Sequence, residues 1–284
     1  MITDRDTNKV YFSPFLKECS PRLWECFHGM EQEGLAMPLP TFSKYIWCRD
    51  YMPIQVGERD FVGYRFSPDY LRNDRRYRRF VCDGQSLLQG YMQKDYMRHI
   101  DLVVDGGNVV KCGDTVVMTE KVFYENADKS RAVVERLLRD AFRCDLLFLP
   151  WDREEVFGHS DGIVHYADGD RVLMTNYEDF SPRMAREISR RLEKRFDVVH
   201  LRYRSKRKHM RSWAYINFLQ VGQHIFVPQL EAEEDEQAIE QIGAVFPDSK
   251  MVGLPALDAV RRGGALNCLT WNVKEDPMSP LFST

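Results

Sequence analysis

The sequence has no long apolar run, no leader-like start, no CxxC pair and no excess of either charge. The first absence removes a spanning helix, which needs about 18 consecutive apolar residues, so no membrane partner is expected. The start, Met1-Ile2-Thr3-Asp4-Arg5-Asp6, is polar and lacks the apolar stretch of a signal peptide, which predicts a cytoplasmic protein. Seven cysteines, an odd number without paired spacing, fit reduced thiols better than a disulfide framework or a zinc ribbon. A net charge of −3 gives no electrostatic basis for coating nucleic acid. Low-complexity tracts and Pro/Gly-rich linkers are also missing, so residues 1–284 read as a single domain. What is present is a chain with 44% hydrophobic and 12% aromatic residues, ample for a buried core.

The organisation is repetitive. Thr115-Val116-Val117-Met118 reads as a strand. Val133, Val134, Leu137, Leu138, Ala141 and Phe142 follow at helical spacing, and Leu146 to Leu149 is again strand-like. The order recurs with Arg171–Met174, a helix opened by Ser181-Pro182, and Val198–Leu201. It recurs once more with His224–Val227, a helix through Ala238, Ile242 and Phe246, and Met251–Leu254. A chemically active position opens each unit: Asp50, Asp105, His159, Asn217 and Cys268. Their intervals are 55, 54, 58 and 51 residues. Near-equal units of this length signal a repeat architecture. Five of them predict a closed α/β ring of ββαβ blades, with the five markers converging near its axis.

Cysteine attacks as a thiolate, which a nearby histidine and a cationic substrate both favour. Two buried carboxylates beside a thiol are costly unless a cation reaches them. A planar guanidinium meets that demand, because it pairs with carboxylates on two edges and offers its carbon to a third group.

These residues carry a resemblance. Trp47-Cys48-Arg49-Asp50-Tyr51-Met52-Pro53 is similar to W-x-R-D-x-G-P, Asp105-Gly106-Gly107-Asn108 to D/E-G-G, Gly158-His159-Ser160-Asp161 to G-H-x-D, and Gly263–Cys268 to G-G-x-x-x-C. In that order they resemble the agmatine deiminases and bacterial (Porphyromonas-type) peptidylarginine deiminases, guanidine-modifying enzymes of the pentein five-bladed α/β propeller fold. The resemblance implies that Cys268 attacks the guanidinium carbon. It implies that His159 is the acid and base, oriented by Asp105, and that Asp50 and Asp161 hold the guanidinium nitrogens. Asn217, with Trp47, Arg49 and Asn108 from the same blocks, would line the substrate cavity. Agmatine is the first substrate implied, with peptidylarginine or arginine next, and neither a metal nor an organic cofactor. Amidino transfer and a non-catalytic scaffold are the rival functions. Self-association is left open.

Three features depart from the resemblance. Met52 stands at a usual glycine, implying a reshaped pocket floor, and Asn267 stands where agmatine deiminases carry histidine. Their acidic cluster is reduced here to Asp152, Glu154 and Glu155. The other cysteines read as buried fillers, and His165 as structural. Arginine-rich runs at 72–79 and 202–211 read as solvated faces. An arginine of the first run is also a candidate clamp for a substrate carboxylate.

Overall fold

A computed structural model describes residues 1–40, 43–205, 210–276 and 281–282. Lys206, Arg207, Lys208 and His209 of the second basic run lie outside the described residues.

Among the described residues, fifteen strands form five separate three-stranded sheets. One sheet contains Ile54–Gly57, Asp60–Arg65 and Met97–Val103, and the next Val110–Cys112, Thr115–Thr119 and Asp145–Leu149. The third contains Val164–Asp168, Arg171–Met174 and Asp197–His200, and the fourth Leu219–Val221, His224–Gln229 and Lys250–Pro255. In each, the first two strands pair antiparallel and the second pairs parallel with the third. A parallel pair needs a crossover, and helices supply it. Arg131–Phe142, Pro182–Leu192 and Glu234–Val245 are the three long crossovers, as their apolar periodicity predicts.

The first blade has no such helix. The chain from 66 to 96 makes short turns instead, including Asp69–Arg72 and Gly84–Leu87. The fifth blade is assembled from both ends of the chain. Lys9–Phe12 pairs antiparallel with Thr270–Val273 and parallel with Ala36–Pro38, the crossover being Pro21–Gln32.

Helix 131–142 shows how sequence sets these blades. Ser130 accepts the Val133 N–H as its N-cap. Val134, Leu138, Ala141 and Phe142 then share one buried face, each larger side chain contributing about 1.5–3 kcal/mol of transfer energy. Among the described residues no helix is long and apolar enough to cross a membrane.

Candidate active site

Each marker residue sits in a turn just before the first strand of a blade. The turns are Cys48–Tyr51, Gly106–Asn108, Ser160–Gly162, Ser212–Asn217 and the segment 265–269. Main-chain bonds lock them together. Arg49 N–H donates to the Cys268 carbonyl at 3.2 Å, and Asn267 N–H to the Asn217 carbonyl at 3.1 Å. Asn217 Oδ1 accepts the Cys268 N–H at 3.2 Å, and its amide donates to the Asp161 carbonyl at 3.3 Å.

A cavity of about 340 Å³ opens onto this axis, lined at its base by Cys268, His159, Asp161 and Asn217. Cys268 Sγ lies 3.6 Å from Asp161 Oδ2. His159 Nε2 is 2.8 Å from Asp105 Oδ2, and its Nδ1 is 4.0 Å from Asp50 Oδ1. The Nε2–Asp105 approach is not aligned as a linear hydrogen bond, so charge attraction carries the contact. Asp50 and Asp105 stand behind His159 and are not among the residues lining the cavity.

Phenols hold these carboxylates. Tyr70 donates to Asp105, Tyr45 donates to Asp50 at 3.1 Å, and Tyr64 donates to the Asp50 and Met52 carbonyls at 2.8 and 2.9 Å. Glycines admit the close approach. A Cβ on Gly107 would meet His159 Nδ1 at 2.4 Å, and one on Gly106 would meet the Arg49 carbonyl at 1.9 Å. Gly263, at φ +107°, adopts a backbone that side-chain-bearing residues rarely reach.

The electrostatics favour a cation. Burial pushes the Cys268 thiol well up, and the charges of Asp161 and Asp50 add to it. Asp50 is likewise raised, by burial and by Asp105, and Asp161 by burial. Burial works against the charged His159 ring, but Asp105, with Asp50 and Asp161, outweighs it and lifts the imidazole to about 10. Asp50 Oδ1 and Asp105 Oδ1 are buried and accept no hydrogen bond from protein atoms. The His159 ring is the cation that stands between these two carboxylates. The atoms of Asp50, Asp105 and His159 also lie within 4.8 Å of one another, the one group among the described residues with the geometry to hold a metal ion.

Four expected substrate contacts do not line the cavity: Asp50 stands behind His159, and Arg49, Trp47 and Asn108 fall elsewhere. Arg49, next to Asp50 in a tight turn, points to the opposite side, into a small axial cavity with Asp4, Lys111, His165 and Gln220. Trp47 packs beneath the nucleophile loop, where a Cβ on Gly264 would meet its ring at 2.5 Å. Asn108 spends its amide on the Thr119 main chain, accepting from N–H at 2.7 Å. Met52 does not reshape the floor, being buried in a hydrophobic cluster with Tyr51, Phe61 and Tyr64. Arg72 does not clamp substrate, since it pairs with Glu125 at 3.2 Å and with the Ser67 carbonyl. No arginine of 72–79 lines the cavity.

The mouth carries groups the repeat pattern does not reveal. Asp152, Glu154 and Glu155 line it beside Phe157, Tyr177, Phe180 and Trp213. Tyr177 donates to Asp152 at 2.7 Å, and Glu155 accepts the Gly158 N–H. Lys121 is buried below this loop, donating to the Phe157 carbonyl at 2.8 Å and pairing with Asp69 at 2.9 Å.

A ring of five three-stranded blades that gathers cysteine, histidine and carboxylates at its axis is the pentein fold. The sequence signature of the Porphyromonas-type peptidyl-arginine deiminases matches residues 33–273. The chain belongs to that family. A protein of Shewanella sp. (strain MR-7), named provisionally as an agmatine deiminase, is 24% identical over 81% of this chain and 74% of its own. The C. jejuni agmatine deiminase structure superposes with a TM-score of 0.76 at 16% identity, over 96% of this chain and 95% of that one. The Enterococcus faecalis agmatine deiminase gives 0.73 at 20% identity, over 96% and 94%.

Proposed function

We propose that this protein hydrolyses the guanidinium group of agmatine, giving N-carbamoylputrescine and ammonium. The observation that carries the reading is the charge of the cavity. Its base presents Cys268, His159 and Asp161, and its other ionisable lining residues are Asp152, Glu154, Glu155 and Tyr177. A guanidinium with a second, aminium end meets carboxylates at both ends. A carboxylate-bearing arginine finds no arginine or lysine among those lining residues.

In the proposed reaction a bound guanidinium offsets Asp161 and Asp50, whose charges otherwise hold Cys268 protonated. Cys268 gives its proton to bulk water as the cation binds, and the thiolate then adds to the guanidinium carbon, the proton returning when product leaves. The C–N bond breaks as His159 gives its proton to the departing ammonia, leaving an amidino-thioether. Water adds to that carbon with His159 as base, the C–S bond breaks, and the sulfur recovers its electron pair. The second proton released leaves with ammonia as ammonium, so guanidinium and water become a neutral ureido compound and ammonium. Asp105 orients His159, as the third member of a triad does.

The reading extends over residues 1–284 as one catalytic domain, since pairing of Lys9–Phe12 with Thr270–Val273 closes the ring. The free cysteines support a reducing, cytoplasmic setting. The test is ureido product from agmatine, arginine and a peptidylarginine, with wild type and Cys268→Ala compared. Product from agmatine, lost in the variant, is expected. A peptidylarginine or arginine preference would overturn the substrate, a new guanidine in place of a urea would mean amidino transfer, and no product would refute the hydrolase reading.

A further inference from the structure

An arginine side chain only donates hydrogen bonds and a carboxylate only accepts them, so a side chain that bridges the two must do both. Asn267 stands between Arg49 and Asp161. Its Oδ1 accepts from Arg49 Nη2 at 2.6 Å and its Nδ2 donates to Asp161 Oδ2 at 2.9 Å. Turning the amide over would set donor against donor and acceptor against acceptor, so the charges at the two ends fix its orientation. Asn267 is only 5% exposed, which leaves water little room to substitute for either bond.

Arg49 is itself held from behind. It donates to Asn272 Oδ1 at 2.7 Å and lies 3.6 Å from Asp4, which Lys111 approaches at 3.4 Å. Its main-chain N–H meanwhile rests on the Cys268 carbonyl. A chain of contacts thus runs from the N-terminal turn through the axis to the oxygen of Asp161 that faces Cys268.

We propose that Asn267 is a positioning residue, locked by Arg49, that presents the Asp161 carboxylate to the guanidinium. The proposal rests on the guanidine-hydrolase reading and names the device that sets its binding carboxylate. It also explains the departure at this position. A neutral imidazole, the usual occupant in agmatine deiminases, likewise offers one donor and one acceptor. Once protonated it offers two donors and repels Arg49. The amide does not titrate, so in this protein the link holds across the pH range.

The groups that face Asp161 are Cys268, His159, Asp50, Arg49, Asn217 and Asn267. Of these, Asn267 can be replaced without touching the proposed nucleophile or acid. The experiment measures kcat and KM for agmatine against pH in wild type, Asn267→Leu, Asn267→His and Arg49→Gln. Asn267→Leu is expected to raise KM tenfold or more with a smaller fall in kcat. Its acid limb of kcat/KM moves up in pH, because Asp161 loses the donor that favours its ionised form. Asn267→His is expected to recover KM at alkaline pH and to lose it as the ring protonates, a dependence that general loss of packing does not produce. Arg49→Gln, which releases the amide from its lock, raises KM in the same direction. A folded Asn267→Leu or Arg49→Gln with wild-type KM and acid limb overturns the proposal. Wild-type turnover is measured first, so an inactive wild type counts against the hydrolase reading and an active wild type with unmoved variants counts against the positioning role.

Discussion

Gly107 is the glycine packed against His159, and it defines a sharp perturbation. In Gly107→Ala the new methyl would lie 2.4 Å from His159 Nδ1, 2.9 Å from its Cε1 and 3.0 Å from Asp50 Oδ1. Ordinary van der Waals contact begins at 3.4 Å, so the ring must retreat by roughly 1 Å. Retreat disturbs the 2.8 Å approach to Asp105 and shifts the ring within the cavity it shares with Cys268. A misplacement of about 1 Å costs about 10²-fold in rate, or about 2.7 kcal/mol of transition-state stabilisation. The added volume costs about 1–3 kcal/mol of stability, less than a domain needs to unfold. The assay is ureido product from agmatine, with thermal unfolding in parallel. Gly162→Ala is the internal control, because nothing lies within 4 Å of its Cβ position although it is three residues from His159. Gly107→Ala should lose about 100-fold in kcat/KM while remaining folded, and Gly162→Ala should stay near wild type. A folded Gly107→Ala with wild-type kcat/KM would refute the placement of His159.

Three further outcomes follow from other parts of the molecule. Glu154→Gln removes one exposed carboxylate at the cavity mouth and should raise KM for agmatine by about 2–5-fold at low ionic strength, the difference fading in salt; an unchanged KM at low salt would contradict the role given to the acidic mouth. His165 is buried against Phe218, and burial pushes its ring down to about 4. Its unfolded form binds a proton near the ordinary 6.5, so the stability it carries is intact above that pH and is lost as pH falls from about 6.5 through 4, by up to about 3 kcal/mol. Urea unfolding at pH 7, 5 and 4 should show this fall, reduced in His165→Gln. Lys121→Met leaves Asp69 without its buried cation, which should cost about 3–5 kcal/mol in chemical unfolding; a loss below 1 kcal/mol would show that the pair is not structural.

The repeat was legible because each blade imposes its own periodicity. The strand expected at Arg171–Met174 is found at those residues, and the helix opened by Ser181-Pro182 runs to Leu192. Equal spacing also identified the turns that meet at the axis, and Cys268, His159, Asp161 and Asn217 all line one cavity. What periodicity cannot give is the side to which a residue in a turn points. Asp50 faces His159 while its neighbour Arg49 faces away, so adjacency in a motif misled about substrate contact. The phenols of Tyr45, Tyr64 and Tyr70 were invisible for another reason. They come from a blade whose crossover lacks helical pattern, and only tertiary contact brings them to the carboxylates. The fifth blade was counted by its marker at Cys268, but its make-up hid in the same way, since Lys9–Phe12 and Thr270–Val273 lie more than two hundred residues apart.

That last arrangement orders events in time. Cys268 stands two residues before Thr270–Val273, the strand that closes the ring against Lys9–Phe12. A chain emerging from the ribosome can stack its middle blades while the strand near its beginning still waits for a partner. Such long-range pairing is slow to form, because the loop it closes spans most of the protein. In the closed ring Cys268, joined to that strand through Leu269, lies 3.6 Å from Asp161 Oδ2. In the proposed reaction, closing the circle would double as the step that seats the nucleophile.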